Sequence, residues 1–256
     1  YMEYLKLYDS PNDQMTITNG ERGLKRKISS LRSFYTYYYK RQAIETNPVQ
    51  LVDMPKIHDK AIIRLDAGET AALLDQLTGQ RKAYYEKTKL RDLAIVTLLL
   101  GTGIRVSECV GLDVEDIDFR NNGIRLIRKG GSEMVVYFGP EVEKALKDYL
   151  EARKAISPLE GHEHALFYST QRKRIGVQAV ENLVKKYARA ITTTKKITPH
   201  KLRSTYGTTL YQETGDIYLV ADVLGHKDVN TTKKHYAAMD DARRRKAATA
   251  IRLRED

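Results

Sequence analysis

Apolar residues recur periodically in two regions of the chain, and the segment between these regions has no such periodicity. This pattern limits the chain to folds with two domains. Between residues 20 and 44, apolar and aromatic side chains recur at steps of three and four, the spacing of one helix face. We expect this face to pack into a helical bundle. It comprises Leu24, Ile28, Leu31, Phe34, Tyr35 and Tyr38. Asn47-Pro48 is expected to end the helix, because a residue before proline disfavours helical dihedral angles.

Residues 52–65 read as an inter-domain linker, since they contain Pro55 and scattered charges without periodicity. We therefore predict a helical domain over residues 1–52, a linker over 53–65 and a larger domain over 66–256 that ends in a tail. The chain begins at Tyr1 rather than methionine, so we expect the first domain to continue upstream in the native protein.

The predicted first helix carries cations on its other faces. The chain as a whole has 44 Lys and Arg against 33 Asp and Glu, a net charge of +11. Such a surplus points to a polyanionic partner, and a solvated basic face is the alternative that composition leaves open. The candidate DNA-binding residues are Arg22, Lys25, Arg26, Lys27, Arg32, Lys40 and Arg41.

The larger domain is predicted to be mostly helical with one small antiparallel sheet. Asp66 and Glu69 have capping-box spacing, which predicts a helix start. Residues 123–138 alternate β-branched side chains around Gly130-Gly131, as in a β-hairpin. Helical patterns cover residues 89–100, 104–110, 140–155, 177–191 and 199–213, with shorter pieces up to 251. The tail, residues 239–256, would either dock on a neighbouring protomer or be an ordinary closing helix or a frayed end.

The single cysteine and the short apolar runs restrict where the protein works. Cys109 has no cysteine partner in the chain, so an internal disulfide is excluded, which fits a reducing compartment. We expect it to be a small buried residue. The longest apolar runs, such as residues 95–100, are too short to span a bilayer. We therefore expect a cytoplasmic protein without a membrane partner.

Arg105 follows the turn Gly101-Thr102-Gly103 between two predicted helices. Glycines allow the backbone to turn tightly there. At the start of the second helix, free backbone N–H groups already favour an anion, so Arg105 is a candidate anion ligand. The alternative is an ordinary ion pair with Glu108.

His200 and Arg203 follow Thr198-Pro199, which has the residue types of a helix N-terminus. A spacing of three places the two side chains on one helix face. A guanidinium offers forked donors to phosphate oxygens, and an imidazole can move a proton near neutral pH. A capped helix with a surface histidine and arginine is the alternative.

His226 follows Gly225, a predicted helix C-cap, and Tyr236 comes ten residues later. A phenol has a pKa of about 10, so it is a poor nucleophile until a base or cations help it to ionise. The chain has 17 tyrosines, and Tyr236 taken alone would be a packing or surface residue. Only the combination of residues points to chemistry.

In their order along the chain, these motifs resemble the tyrosine recombinase (lambda integrase) family. The resemblance rests on Gly-Ile-Arg-Val-Ser-Glu around Arg105, a lysine at a hairpin, His-x-x-Arg, Leu-Gly-His and then tyrosine, and covers residues 65–238. The chain looks most like integrases of conjugative transposons from Gram-positive bacteria. The resemblance implies a helical core-binding domain and an α+β catalytic domain that form a C-shaped clamp on DNA.

The resemblance also implies catalytic roles. Tyr236 would attack the scissile phosphorus, while Arg105 and Arg203 would hold its non-bridging oxygens. His200 would take part in proton transfer at Tyr236, and His226 would donate a hydrogen bond to the phosphate.

Lys129 matches the family's lysine that protonates the departing 5′-oxygen. The usual Gly-Lys-Gly reads Arg128-Lys129-Gly130 here, and we choose Lys129 because an arginine hardly ever gives up its proton. Glu108 would support Arg105 rather than react.

The partners implied by the resemblance are double-stranded DNA and a homotetramer on two DNA sites. Strands would be exchanged through a Holliday junction during integration and excision of a mobile element, with an accessory DNA-bending or directionality protein. No cofactor or metal is expected, because the sequence lacks a carboxylate cluster suited to Mg²⁺. Two alternatives remain: a type IB topoisomerase with the same chemistry, and a non-enzymatic DNA-binding regulator.

Two other histidine motifs are set aside. His162 and His164 flank Glu163 in a polar loop, but a metal site would need a third convergent ligand. His235 is adjacent to Tyr236, and neighbouring residues on a helix point apart. We assign His235 a structural or surface role.

Overall fold

The computed structural model describes residues 7–9, 16–58, 63–79, 86–128, 131–226, 229 and 232. The chain divides into two compact units, Tyr1–Ala61 and Ile62–Asp256. The division falls inside the predicted linker, whose described residues 53–58 and 63–65 belong to neither helix nor strand.

The first unit contains a small sheet and a long helix among its described residues. Strand β1 (Leu7–Asp9) pairs antiparallel with β2 (Thr16–Thr18). Neither strand is predicted from the sequence, where the first part of the chain reads as helical. Helix α1 (Glu21–Lys40) follows.

Helix α1 ends well before the proline that is predicted to end it. Gln42 adopts a left-handed conformation with φ of 57°. The amides of Gln42 and Ala43 then donate to the carbonyls of Tyr39 (3.0 Å) and Tyr38 (3.1 Å). This is a Schellman motif, which satisfies the last carbonyls and closes the helix. The predicted helix end at Asn47 is therefore wrong.

Only part of the predicted apolar face of α1 is buried. Leu24 and Ile28 are buried, whereas Phe34 is 54% exposed and Tyr38 is also exposed. The rings of Phe34 and Tyr38 contact each other instead, with centroids 4.8 Å apart. The prediction that the whole face is buried is therefore wrong for the second half of the helix, as far as the described residues of this unit show.

The second unit is built around one buried helix, α3. Its helices are α2 (Ala67–Thr78), α3 (Glu86–Thr102), α4 (Val106–Gly111), α5 (Pro140–Arg153), α6 (Val177–Ala188), α7 (Pro199–Thr214) and α8 (Ile217–Leu224). Helix α3 contacts α2, α5 and α7, and its residues 94–99 are all buried, as expected for a helix surrounded by others. Cys109 is buried as predicted, and burial raises its pKa to about 12.

The ends of these helices differ modestly from the predicted ones. Asp66 accepts from the amide of Glu69 (2.8 Å), and Glu69 accepts from the amide of Asp66 (2.9 Å), which confirms the capping box of α2. Helix α3 continues through Gly101, and the chain turns only at Gly103, where φ is 62°. None of the described helices combines the length and apolar character needed to cross a bilayer.

A three-stranded antiparallel sheet of order β3-β4-β5 lies between α4 and α5 in the sequence. Its strands are β3 (Ile117–Asp118), β4 (Gly123–Ile127) and β5 (Glu133–Tyr137). The predicted hairpin of β4 and β5 is confirmed, and β3 is too short to show a pattern. One face buries Ile124, Leu126 and Val136 in the core. The prediction of a mainly helical chain with a small antiparallel sheet is confirmed.

Candidate functional site

Three arginines converge on the C-terminal end of α8. Gly225 ends this helix in a left-handed conformation, as predicted for a C-cap. The last carbonyls of a helix have no partner within it. Here three consecutive carbonyls, those of the last two helical residues and of the C-cap, each accept from a different arginine: Val223 from Arg128 (3.4 Å), Leu224 from Arg203, and Gly225 from Arg105 (3.3 Å). Positive charge is thus concentrated where the helix dipole is negative.

Arg105 is the N-cap of α4 and is oriented by Glu108. Its Nη1 donates to Oε1 of Glu108 (2.8 Å), and its backbone amide donates to Oε2 (2.7 Å). Burial raises the pKa of Glu108, but hydrogen bonds from Arg105 and the charges of Arg105 and Arg128 lower the pKa overall. Glu108 therefore stays ionised and holds a guanidinium whose side chain is 42% exposed.

Arg203 is buried, with only 6% of its surface exposed. Its guanidinium donates to the carbonyl of Gly103, just after α3, and to that of Leu224, at the end of α8. A buried charge needs such partners, because an uncompensated one is costly. Arg203 therefore connects two segments of the site in addition to supplying positive charge.

Gly103→Ala is expected to lower the free energy of unfolding by roughly 2–4 kcal/mol. The substitution would place a side chain at positive φ, with its Cβ 2.4 Å from Cδ1 of Tyr206 and 3.0 Å from Cδ2 of Leu224. Urea unfolding measures the change. Gly111→Ala is the matched control, because a Cβ there meets nothing within 4 Å. Equal stability of the two variants would contradict this role of Gly103.

The two histidines of the predicted site lie beside the arginines. His226 directly follows Gly225, and its Nδ1 lies 2.7 Å from Oγ1 of Thr232, a fully buried residue. Thr232 therefore helps to fix the imidazole ring. His200 is exposed in the first turn of α7, three residues before Arg203, a spacing that puts Cβ atoms about 5–6 Å apart.

Several of these groups line one cleft of about 1070 Å³. Its lining includes Arg105, Glu108, Arg128, Gly225 and His226. The structure thus brings Arg105 and His226 into one cleft, with Arg203 joined to it through the end of α8. Two further predicted residues, Lys129 and Tyr236, lie outside the described residues.

Sequence reasoning misses Arg128, which lines this cleft, and Thr232, which contacts His226. Arg128 is considered there only as the neighbour of Lys129, yet its Nε lies 3.6 Å from Oε1 of Glu108. The replacement of the family's glycine by Arg128 is a signal that could have drawn attention to it. Nothing in the sequence separates Thr232 from the other threonines of the chain.

The cations predicted to contact DNA differ in exposure. Arg22, Lys25, Arg26, Lys40 and Arg41 are exposed, and Lys27 and Arg32 are half-buried. The Nη2 of Arg32 donates to the carbonyl of Val52, so Arg32 holds the segment after α1. The sequence does not indicate this structural role.

The polar loop with two histidines forms an ion pair rather than a metal cluster. Nδ1 of His164 lies 2.9 Å from Oε1 of Glu115, and this hydrogen bond raises the pKa of His164. Across the part of the chain that the structure describes, no three His, Cys, Asp or Glu side chains are grouped so that they could bind a metal ion.

Comparison with known proteins identifies similar chains. Residues 64–243 match the sequence model of the phage integrase family. The chain is 37% identical over 236 residues to tyrosine recombinase XerC of Caldanaerobacter subterraneus subsp. tengcongensis. It is 34% identical over 225 residues to XerC of Thermodesulfovibrio yellowstonii. These alignments cover 90% and 87% of this chain, and 63% and 73% of the respective relatives.

A solved structure shares the fold. The Tn1549 transposon integrase in complex with transposon right end DNA superposes with a TM-score of 0.68 and 25% identity, covering 90% of this chain and 80% of the integrase. The family model alone spans more than half of the chain, including Arg105, His200, Arg203 and His226. The chain therefore belongs to the phage integrase family of tyrosine recombinases.

Proposed function

We propose that this chain is a site-specific DNA recombinase that cleaves and rejoins strands through a 3′-phosphotyrosine intermediate on Tyr236. The observation that carries the proposal is the meeting of Arg105, Arg203 and His226 at the end of α8. A phosphodiester is an anion, and a cleft with this charge attracts it. Membership of the family supports the same conclusion.

The proposed cleavage step assigns one task to each group. The Oη of Tyr236 forms a bond to phosphorus as the bond to the 5′-oxygen breaks. His200 takes up the phenol proton, and Lys129 gives a proton to the departing oxygen. Arg105 and Arg203 stabilise the charge that grows on the non-bridging oxygens, and this stabilisation is greater in the transition state than in the ground state.

The proposed reaction needs no ATP and no cofactor. The phosphotyrosine retains the energy of the phosphodiester bond, so a free 5′-hydroxyl can reverse the step. His226 would donate a further hydrogen bond to the phosphate, which adds to the charge supplied by the two arginines and Lys129. Fixed cations of this kind can offset the developing charge without a metal ion.

A nicked, site-bearing suicide substrate tests the proposal, because the cleaved strand diffuses away and leaves the protein attached to DNA. We expect a covalent adduct that survives denaturation and forms equally in EDTA. A non-enzymatic regulator would give no adduct. A type IB topoisomerase would give an adduct but would not join two different DNA molecules, so a joining assay with two labelled duplexes completes the test.

Lys129→Ala is expected to slow cleavage by about a hundredfold or more, since general acids contribute on that order. A substrate with a bridging 5′-sulfur should restore the rate, because a thiol has a pKa of about 8.5 and leaves without a proton. Single-turnover cleavage of both substrates measures this. An equal loss of cleavage rate on the two substrates would mean that Lys129 is not the general acid.

The proposal extends to the assembly and to its biological setting. Four protomers would act on two DNA sites through a Holliday junction, with the exposed cations of α1 on phosphates and an accessory DNA-bending or directionality protein. We propose integration and excision of a mobile element, which the likeness to the Tn1549 transposon integrase supports. Sequencing the DNA that the protein traps in cells tests this, and sites outside any mobile element would overturn it.

A further inference from the structure

Arg128 links the turn of the β4–β5 hairpin to the end of α8. Its backbone N–H donates to the carbonyl of Ser132 (2.9 Å), and its carbonyl accepts from the N–H of Gly131 (3.0 Å). Its side chain reaches the carbonyl of Val223 through Nη2 (3.4 Å). One residue therefore closes the turn and connects it to the segment that carries His226.

The guanidinium of Arg128 is closely enclosed. Its side chain is 13% exposed, and Nε lies 3.6 Å from Oε1 of Glu108. It also packs directly over Gly225, where an added Cβ would fall 1.4 Å from Nη1. A glycine at this C-cap thus leaves the space that the guanidinium occupies. The arrangement depends on both the length and the flat shape of arginine.

Lys129 directly follows Arg128 in the sequence. A backbone hydrogen bond joins the two described residues that flank Lys129-Gly130 in the sequence, Arg128 and Gly131. Consecutive Cα atoms are about 3.8 Å apart, so fixing Arg128 limits where the lysine ammonium can reach. A displacement of about 1 Å in a catalytic group can cost a hundredfold in rate.

We propose that Arg128 is a positioning residue that holds the turn carrying Lys129 against the end of α8, so that Lys129 can protonate the departing 5′-oxygen. The inference rests on the proposed function. Arg128 donates no proton in this scheme, because arginine stays protonated. Its guanidinium remains on Val223 and Glu108 while the bond to the 5′-oxygen breaks.

The competing role for Arg128 is a third direct ligand of the phosphate. Such a ligand would stabilise charge on the non-bridging oxygens whatever atom leaves. A positioning residue acts only through proton donation, and its effect disappears when the leaving group needs no proton. The two roles therefore differ in their response to the leaving atom.

The test compares cleavage of the 5′-oxygen and 5′-sulfur suicide substrates by Arg128→Ala in the 256-residue chain. We expect the oxygen substrate to be cleaved about tenfold to a hundredfold more slowly and the sulfur substrate within about threefold of the original rate. Arg128→Lys should show the same selective loss, because an ammonium cannot reproduce the forked contacts.

Two further measurements separate positioning from general damage. In a Lys129→Ala background, Arg128→Ala should cause no additional loss on the oxygen substrate, because the two residues act as one unit. Arg125→Ala is the matched control: Arg125 lies in β4, which ends just before Arg128, and lines the same cleft, but its side chain is 53% exposed and pairs with Asp116. In this variant, the ratio of the cleavage rates on the 5′-oxygen and 5′-sulfur substrates should not change. Circular dichroism checks that each variant is folded.

The outcomes distinguish this inference from the function on which it rests. Equal losses on both substrates, or losses that add to those of Lys129→Ala, would make Arg128 a direct phosphate ligand and overturn the inference. Unchanged rates on both would overturn it as well. If the unsubstituted chain forms no adduct with either substrate, the proposed function fails, and the inference with it.

Discussion

Replacing Tyr236 by phenylalanine is expected to abolish the covalent protein–DNA adduct. The substitution removes one oxygen atom, the atom that would bond to phosphorus, and loss of a nucleophile typically lowers the rate by ten-thousandfold or more, about a millionfold in well-studied cases. DNA binding should change by less than about twofold, because the cations that contact phosphates remain. Denaturing gels measure the adduct, and mobility shift measures binding.

Tyr218→Phe is the matched control for this prediction. Tyr218 belongs to the same unit, lies in α8 and is 71% exposed, so loss of its hydroxyl should leave adduct formation intact. If the Tyr236→Phe variant still forms an adduct, mass spectrometry of the attached peptide would identify another nucleophile. The proposed mechanism would then lose its central residue.

Features of the fold that depend on local chemistry could be predicted from the sequence. The capping box of Asp66 and Glu69 and the C-cap at Gly225 each need only a few consecutive residues, and both are present. Gly101 shows the limit of such reasoning. The sequence assigns it to a turn, but it lies inside α3, where a Cβ would meet Cγ2 of Val142 at 2.4 Å. Packing between distant segments decides that position.

For the candidate site, the sequence likewise identifies residues but not their arrangement. The ordered motifs are enough to select Arg105, His200, Arg203 and His226. Their arrangement is not predictable, because Arg105 contacts a carbonyl 120 residues later in the chain, and spacing carries no information at that distance. The role of Arg128 is hidden for the same reason, since its contact at Val223 is 95 residues away.

Arg203→Ala is expected to reduce both activity and stability, whereas Arg105→Ala should reduce activity with little loss of stability. Each arginine would stabilise charge on the phosphate, and removal of one such donor typically costs about a hundredfold or more in rate. Arg203 is also buried between Gly103 and Leu224. Its loss leaves two carbonyls without this donor, which should lower the free energy of unfolding by about 2–4 kcal/mol.

Arg105 is more exposed than Arg203, so its replacement should lower the free energy of unfolding less. Its side chain is 42% exposed, and Glu108 would retain the charge of Arg128 nearby, so the expected loss of stability is within about 1 kcal/mol. Urea unfolding and single-turnover cleavage of the two variants measure both quantities. Equal stability of the two variants would mean that Arg203 does not hold the ends of α3 and α8 together. Full cleavage by either variant would mean that the charge of that arginine is not used in the reaction.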